Sequence, residues 1–477
     1  MLALLTPEEA AAADRLSAAA GVPGPVLMQA AGRAVARAVR RRYRPCRTLV
    51  LCGPGNNGGD GYVAARLLAA AGWPVATAAL GPPRPGSDAC AAAAAWHGPR
   101  LPFAAAEAAR AGLVIDAVFG AGLSAPIGEE VAAVLAAASR LVAIDVPSGV
   151  DGATGEARGA APQAACTVTF FRRKPGHLLL PGRELCGEVV LADIGIPTSV
   201  LAEIGPRGFA NGPGLWHLPA RQPTDHKYPR GFVTVLGGAA MPGAARLAAA
   251  AARHAGAGMV TIAAEQGAAL YRGTEPGLLV ADQPLPALLA DARRTTWICG
   301  PGLGAEAAAT ALPPLLAAGR HVVVDADALT LCAGAPERLR GASVLTPHAG
   351  EFARVFGAPG ADRLAAVRAA ARGTGAVVIL KGSDTLIAAP DGRAAINANA
   401  PPWLATAGAG DTLAGITGAL LAQGMPAWEA ACAAVWLHGE AGHLAGAGLV
   451  AEDLAPAVSR VVARLLTGAA QGRKRGS

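Results

Sequence analysis

The chain is poor in aromatic and in charged residues, which make up 4% and 16% of its 477 positions. Its densest positive runs lie at 40–44 and in the tail at 473–475, and neither contains the series of aromatic side chains on which single-stranded nucleic acid stacks. We therefore expect these runs to be solvated surfaces and expect no nucleic-acid partner. We expect the net charge of +7 to suit a polyphosphate ligand instead of a nucleic acid.

Paired cysteines are missing as well. The eight cysteines include no C-x-x-C pair and no neighbouring histidine pattern, which argues against a zinc site and against a disulfide framework. An apolar run of membrane-spanning length is absent, and so is a basic segment followed by a short apolar one near the N-terminus. We expect a reduced, cytoplasmic protein with no membrane partner.

Apolar stretches of strand length alternate with alanine-rich helical stretches through most of the sequence. A capping box with proline, ThrProGluGlu at 6–9, starts a helix that ends at Gly21, and a second helix is predicted at about 25–43. Such alternation is typical of a parallel sheet with helices on both faces. Strands are predicted near 48–52, 75–80, 113–117, 140–145, 232–236, 259–263, 296–299, 321–325, 343–346 and 376–380.

The two series of strands are separated by a stretch rich in proline, glycine and polar residues at 197–228. Such a stretch is typical of a domain junction. The sequence therefore predicts two α/β domains, at 1–212 and 213–477.

The strand predicted at 48–52 runs into a glycine-rich loop, GlyProGlyAsnAsnGlyGlyAsp at 53–60. The loop satisfies G-x-G-x-x-G, a pattern that can place backbone N–H groups around a phosphate. An ordinary dinucleotide fold also has an acidic residue at the end of the next strand, but the stretch at 75–80 is followed by Gly81. We therefore expect a nucleotide-like ligand that is held in a different way.

Polar side chains follow three of the predicted strands in the first half. A single aspartate at a strand end is most often a helix cap or a turn residue. Three such ends in one domain, each with a glycine-rich loop, favour a crevice that binds a cation and keeps one carboxylate for proton transfer. The residues concerned are Asn56, Asn57, Asp60, Asp116, Asp145 and Ser148.

The second half contains AlaThrAlaGlyAlaGlyAspThrLeuAlaGly at 405–415, which leads into an apolar helix. Free N–H groups at that helix start would bind a phosphate, and Asp411 beside them would act as a base for a substrate hydroxyl. The simpler alternative is that Asp411 only caps the helix. Gly408 and Gly410 favour the anion site, because a cap does not require bare backbone. No stretch of the sequence fits the Walker A pattern.

Several longer motifs resemble those of a known family. The segments GPGNNGGDGY, VIDAVFGAGL, AIDVPSGVDGATG, TVTFFRRKPGHLLLPG and GEVVLADIGIP resemble the epimerase domain of the bifunctional NAD(P)H-hydrate repair enzymes. The segments HKYPRGFVTVLGG, GPGLG, DADAL, TPHAGE and LKGSDTLIA, together with the G-x-G-D loop, resemble their ADP-dependent dehydratase domain. The resemblance implies a Rossmann-like three-layer αβα domain followed by a ribokinase-like α/β domain.

The resemblance also implies specific residues in the first domain. Asp145 would be catalytic and would contact the hydrate, and a potassium ion would be bound by Asn57, Asp116 and Ser148. The hydrate would be held by Asn56, Asn57, Gly58, Gly59, Asp60, Gly120, Ala121, Gly122, Leu123, Ser124, Ala125 and Pro126. Ala121 stands where the family usually has threonine.

In the second domain the resemblance implies that Asp411 is catalytic and that ADP acts with Mg²⁺, which Glu351 would help to hold through water. The hydrate would contact Ala244, Gly302, His348 and Asp411. The nucleotide would be bound by Lys381, Gly382, Ser383, Asp384, Thr385 and Gly410. The loop reads AlaGlyAlaGlyAsp where GlyGlySerGlyAsp is usual.

These features favour a bifunctional repair enzyme that interconverts the R and S hydrates of NAD(P)H and dehydrates the S form with ADP. One alternative is a vitamin or sugar kinase fused to a ligand-binding domain. A second is a scaffold or RNA-binding module joined to a separate kinase. The expected partners are small molecules, and the sequence leaves a homo-oligomer open.

Overall fold

The computed structural model describes residues 2–220, 230–273 and 275–474, with side chains as far as Thr467. The first four residues of the motif at 226–238 and Arg475 of the basic tail lie outside the described residues. The chain divides into two compact units, one covering Ala3–Gly208 and one beginning at Phe209. The exact domain boundary at 212 stays a prediction.

The helices and strands of the first unit alternate along the chain. They are β1 (Ala3–Leu4), α1 (Pro7–Ala19), α2 (Gly24–Arg42), β2 (Thr48–Cys52), α3 (Asn56–Ala70), β3 (Val75–Ala79), α4 (Asp88–Ala94), α5 (Ala105–Arg110), β4 (Leu113–Ala117), α6 (Glu129–Ala136), β5 (Leu141–Ile144), β6 (Cys166–Phe170), α7 (Gly182–Leu185), β7 (Glu188–Ala192) and α8 (Val200–Ile204), with β8 (Gly208–Ala210) at the change of unit.

The sheet of the first unit has the strand order β3-β2-β4-β5-β6-β7, and each of these neighbours is parallel. Alternate residues of β2 enter different cores, because successive side chains of a strand point to opposite faces. Leu49 and Leu51 pack in a cluster with α5 and α6, whereas Val50 and Cys52 pack in a cluster with α2, α3 and α4. This arrangement is a three-layer αβα sandwich.

The second unit repeats the alternation. Its elements are β9 (Phe232–Leu236), α9 (Pro242–His254), β10 (Met259–Ala263), β11 (Leu279–Ala281), α10 (Leu285–Leu289), β12 (Thr296–Cys299), α11 (Ala305–Ala317), β13 (His321–Val324), α12 (Ala326–Thr330), β14 (Val344–Leu345), α13 (Ala349–Phe356), α14 (Arg363–Thr374), β15 (Val377–Leu380), β16 (Thr385–Ala388), β17 (Ala394–Asn397), α15 (Ala409–Ala422), α16 (Ala427–Ala445) and α17 (Ala451–Lys474).

Its strands follow the order β17-β16-β15-β14-β13-β12-β9-β10-β11. The pairs from β14–β15 to β10–β11 are parallel, and β16 and β17 are added antiparallel. Helix α15 packs against α9 and α16 over one face of this sheet. All ten predicted strands are present, and the α/β fold predicted for both halves is confirmed.

The sequence analysis missed β1, β6, β7, β8, β11, β16 and β17. The last two form a hairpin with a turn at 389–393, and their apolar residues follow β15 too closely to stand out as separate strands. The junction predicted as irregular contains α8 and β8. Among the described residues, no helix is long and apolar enough to cross a membrane.

Candidate active sites

The glycines of the loop after β2 allow backbone segments to approach each other closely. A Cβ atom on Gly53 would lie 1.9 Å from the carbonyl oxygen of Val118, and one on Gly58 would lie 1.9 Å from the carbonyl oxygen of Gly53. Helix α3 starts directly after this turn, at Asn56. These two glycines therefore join the loops after β2 and β4, and this packing brings Asn57 beside the glycine loop that starts at Gly120.

Asp116 is a fully buried carboxylate at the end of β4. Its Oδ1 accepts hydrogen bonds from the Ser148 hydroxyl at 2.6 Å and from the Val118 N–H at 3.2 Å, and its Oδ2 accepts one from the Ser148 N–H at 2.8 Å. Burial raises the pKa of Asp116, although these hydrogen bonds act in the opposite direction. None of the ion pairs between described residues involves this carboxylate.

Three of these polar groups fit a potassium ion. Asp116, Ser148 and Asn57 offer a carboxylate, a hydroxyl and an amide carbonyl, which are oxygen ligands suited to a hard, weakly charged cation. The Asn57 Nδ2 atom is buried and has no hydrogen-bond partner among the described residues. The buried Asp116 carboxylate, which has no neighbouring cationic side chain among the described residues, suits a bound cation, whereas the Asn57 Nδ2 atom is a donor and calls for an acceptor.

Asp145 follows β5 in a strained backbone conformation. Its φ of 67° lies in the left-handed region, which an aspartate adopts only at some cost. The carboxylate accepts hydrogen bonds from the Ala121 N–H at 2.9 Å and from the Thr169 hydroxyl at 3.0 Å. The first contact uses the backbone, so it does not depend on the threonine usual at position 121.

Lys174 was missed as a site residue, although it lies within the quoted motif TVTFFRRKPGHLLLPG. Its Nζ donates to Asp145 Oδ1 at 2.5 Å and to the Thr169 hydroxyl at 3.1 Å. Burial alone would raise the pKa of Asp145, but the charge and hydrogen bond of Lys174 lower it to about 2. A lysine 29 residues from its partner gives no local sequence signal, so only the fold reveals this pair.

A cavity of about 660 Å³ opens over these residues. Among the predicted ligand-binding residues, those that line it are Asn56, Asn57, Asp60, Gly120, Ala121, Gly122, Leu123, Ser124 and Asp145. Gly58, Gly59, Ala125 and Pro126 do not line it, and Lys174 does. Apolar side chains of α1 and α2, including Leu27 and Met28, form another wall. The cavity thus combines an apolar wall with a polar floor at the strand ends, as small-molecule sites do.

Asp60 differs from Asp145 in its electrostatic surroundings. Burial, followed by the charges of Asp145 and Asp14, raises the pKa of Asp60 well above its usual value. One cavity therefore contains a carboxyl group whose pKa is lowered, Asp145, and one whose pKa is raised, Asp60.

In the second unit, Asp411 lies in the first turn of α15. The N-cap residue, Gly408, has a φ of 87°, and a Cβ there would lie 2.5 Å from the Leu247 side chain. Asp411 does not cap the helix, because the N-cap is Gly408 and no side-chain cap bond is formed there. Burial and then the charge of Asp325 raise the pKa of Asp411 to about 6, while Lys381 acts to lower it.

Lys381, at the end of β15, is the cation of this second site. Its Nζ lies 2.8 Å from Asp325 Oδ1 and 3.8 Å from Glu351 Oε2. A Cβ on Gly410 would lie 3.3 Å from the same Nζ, so the two predicted nucleotide-binding residues are neighbours. The lysine charge and the N-terminus of α15 together favour a phosphate here. Asp325 was quoted within a motif but was given no role.

His348 is half exposed and caps α13. Its Nδ1 accepts hydrogen bonds from the N–H groups of Gly350 at 3.0 Å and Glu351 at 3.3 Å, and Glu351 Oε2 accepts one from the His348 N–H at 2.8 Å. The ring is therefore fixed by its own loop and remains open to solvent. Gly302 and Ala244 are also neighbours, since a Cβ on Gly302 would lie 3.0 Å from that of Ala244.

The segment 382–385 forms a tight turn between β15 and β16. The Thr385 hydroxyl donates to the Gly382 carbonyl at 2.7 Å and accepts from its N–H at 3.1 Å. Asp384 is buried and forms a bidentate ion pair with Arg363, at 3.0 and 2.5 Å. Its carboxylate is thus engaged by the protein, whereas Ser383 is exposed.

The described residues contain no group of three or more histidines, cysteines, aspartates or glutamates arranged to hold a metal ion. Magnesium usually keeps several waters and takes only one or two protein carboxylates. Two carboxylates of this site, Asp325 and Glu351, lie next to Lys381, at 2.8 and 3.8 Å from its Nζ.

The fold and the two sites define a class. The chain is a two-unit α/β protein, and in each unit acidic and glycine-rich loops at the strand ends form a small-molecule site of the kind found in enzymes. Two family descriptions match it: "YjeF-related protein N-terminus" at residues 24–176 and "NAD(P)H-hydrate dehydratase" at residues 233–464.

The curated relatives carry a common name, bifunctional NAD(P)H-hydrate repair enzyme Nnr. The chain is 43% identical to the protein from Mycobacterium tuberculosis, covering 81% of this chain and 80% of that one. It is 38% identical to the Mycobacterium leprae protein, over 94% and 95% of the two chains, and 34% identical to the Escherichia coli protein, over 91% and 89%. The chain belongs to this family, as the motifs predicted.

Solved structures also resemble the second unit. An ADP/ATP-dependent NAD(P)H-hydrate dehydratase from Bacillus subtilis, co-crystallised with ATP and Mg²⁺, is 31% identical over 52% of this chain and 94% of its own, with a TM-score of 0.45. A ribokinase-like superfamily protein from Enterococcus faecalis is 26% identical over 52% and 92%, with a TM-score of 0.46.

Proposed function

We propose that this protein repairs hydrated NAD(P)H: the first unit interconverts the R and S hydrates, and the second dehydrates the S hydrate with ADP. The observation that carries the proposal is that each unit brings acidic residues from separate strand ends into one site, while 94% of the chain matches a member of the repair-enzyme family. A dehydratase specific for one epimer would leave the other unrepaired, so the two activities complement each other.

In the first unit, Asp145 is the base for epimerisation. Its low pKa keeps it ionised at neutral pH, so it can accept the hydroxyl proton of the hydrate as the ring C–N bond opens to a carbonyl. Reclosure on the other face of that carbonyl, with return of the proton, inverts the centre. Asn57, Asp116 and Ser148 would hold K⁺, which supplies a positive charge that orients polar groups of the ligand.

In the second unit, Asp411 is the base for phosphoryl transfer. It takes the proton of the hydrate hydroxyl as the oxygen attacks the terminal phosphorus of ADP, and AMP leaves. Breaking the C–O bond then releases phosphate, and loss of a proton from the neighbouring carbon restores the dihydropyridine. Lys381 and the N–H groups at the start of α15 hold the phosphates, and Glu351 would hold Mg²⁺ through water. Magnesium supplies further neutralisation of phosphate charge.

The test uses a mixture of R and S hydrates with ADP, Mg²⁺ and K⁺, and follows the absorbance of reduced nicotinamide. The wild-type protein should restore all of the absorbance. Asp145→Asn should restore only the S fraction at the normal rate, followed by slow spontaneous epimerisation of the rest. Asp411→Asn should restore none while still interconverting the epimers. If the wild-type protein restores no absorbance but phosphorylates a small alcohol with ATP, the kinase alternative is correct.

A further inference from the structure

We propose that Lys174 is the positioning residue of the first site: its ammonium group holds the Asp145 carboxylate in the orientation that epimerisation requires, and His177 fixes the backbone of both residues. This inference rests on the proposed function of the first unit, and it assigns a role to Lys174, which the predicted site did not include.

The ammonium group of Lys174 is buried, with 6% of its side chain exposed. An ammonium has three donors. One contacts Asp145 Oδ1 at 2.5 Å, a second contacts the Thr169 hydroxyl at 3.1 Å, and Thr169 in turn donates to the same Asp145 oxygen at 3.0 Å. A closed triangle of hydrogen bonds therefore fixes one carboxylate oxygen, while the Ala121 N–H fixes the other.

His177 connects the lysine backbone to the aspartate backbone. Its Nδ1 accepts the Lys174 N–H at 2.9 Å, which places the ring proton on Nε2, and Nε2 donates to the Asp145 carbonyl oxygen at 2.7 Å. Burial, followed by the charge of Lys174, lowers the pKa of His177 to about 4, so the ring is neutral as this pattern requires. The imidazole thus bridges two loops that are 32 residues apart.

These contacts offset the strain in Asp145. Its left-handed φ persists because the N–H, the carbonyl and both carboxylate oxygens are all bonded, the N–H to the Val168 carbonyl at 2.8 Å. Lys174 also lines the cavity, next to Asp145. An ion pair with a purely structural role could lie anywhere in the fold. This pair lines the cavity, and its aspartate is the one that the family pattern makes catalytic.

The first test compares Lys174→Met with the wild-type chain. Methionine has similar length and no charge. We expect the kcat of epimerisation to fall by about 10²-fold or more, with the KM for the hydrate changed only a few-fold, because an incorrectly held base slows the reaction without removing the cavity. Arg173→Met is the matched control: it removes the adjacent cation, which does not line the cavity, and should leave epimerisation unchanged.

The second test uses Lys174→Ala with small molecules added back. Ethylammonium fits the space vacated by the side chain and restores a charge, whereas ethanol fills similar space without one. We expect ethylammonium, and not ethanol, to restore part of the kcat. Such rescue occurs only in a folded site, so it separates positioning from loss of structure. Equal rescue by both, or by neither, would overturn the inference.

A third variant addresses the histidine. His177→Gln keeps one acceptor and one donor and should retain most of the kcat, whereas His177→Leu should lose it. The outcomes also separate the two levels of argument. A wild-type protein that does not interconvert the hydrates faster than buffer refutes the proposed function. A wild-type protein that does so, with Lys174→Met within threefold of it, refutes only the role of Lys174.

Discussion

Asp411→Asn should make the second unit more stable and inactive. The pKa of Asp411 is raised from 3.8 to about 6, because its carboxylate is buried beside Asp325. The native state therefore holds the proton more tightly than the unfolded chain does, and the ionised carboxylate destabilises the fold at neutral pH. A carboxamide has nearly the same shape and removes that charge.

The magnitude follows from the shift. About two pKa units correspond to about 3 kcal/mol at most, and partial exposure of the side chain reduces this to about 1–3 kcal/mol. The stabilising state of a group with a raised pKa is the protonated one, so the penalty is absent below pH 3.8 and complete above pH 6. The gain in the free energy of unfolding of Asp411→Asn over the wild type should shrink to about a third of its full value at pH 4.5.

Urea unfolding followed by tryptophan fluorescence at pH 7.5 and 4.5 measures this difference. The transition of the second unit is the one that ADP shifts to higher urea. Asp391→Asn is the control, because its partner Arg393 is at the surface and the change should stay within about 0.5 kcal/mol.

Kinetics with the S hydrate complete the experiment. The kcat of dehydration should fall by about 10²–10⁴-fold in Asp411→Asn. In the wild-type protein the rate should rise with pH as Asp411 ionises at about pH 6 and then reach a plateau. A variant that is less stable than the wild type at pH 7.5, or one that turns over normally, would refute the reasoning.

Three further outcomes test the sites. Gly120→Ala places a Cβ 3.1 Å from Asp145 Oδ2, so epimerisation should slow at least about tenfold while dehydration of the S hydrate stays normal. Ser148→Ala removes a proposed potassium ligand and should raise the K⁺ concentration needed for epimerisation, measured against a tetramethylammonium salt; an unchanged K⁺ dependence would contradict the assignment. Gly408→Ala forces a side chain into a left-handed position against Leu247 and should lower the free energy of unfolding of the second unit by more than about 1 kcal/mol, measured in urea.

The loop after β2 shows which features the sequence could predict and which required the structure. The pattern G-x-G-x-x-G predicted a phosphate-binding turn, and the missing acidic residue led us to expect a ligand held in a different way. The structure shows that Gly53 and Gly58 are required for contact between backbone segments. A glycine pattern reports that space is restricted, but it does not report whether a ligand or another loop occupies that space.

The aspartates illustrate the same division. Asp116 and Asp145 were recognisable because each follows an apolar strand and precedes a glycine-rich loop. The sequence did not reveal that the two carboxylates differ in their electrostatic surroundings, because both follow strands and look alike in sequence. Asp116 is bonded to Ser148 and neighbouring N–H groups, whereas Asp145 is held by Lys174.

By itself, the sequence determined the α/β fold, ten of the strands and the family, and it drew attention to the strand-end residues proposed for both sites, because period, glycine placement and short motifs are local properties of the chain. Only the tertiary structure decided which side chains share a site and how each is charged. Lys174 meets Asp145, and Lys381 meets Asp325, across 29 and 56 residues of chain. Burial and long-range partners set a carboxylate's pKa, and both arise only when distant strand ends are brought together.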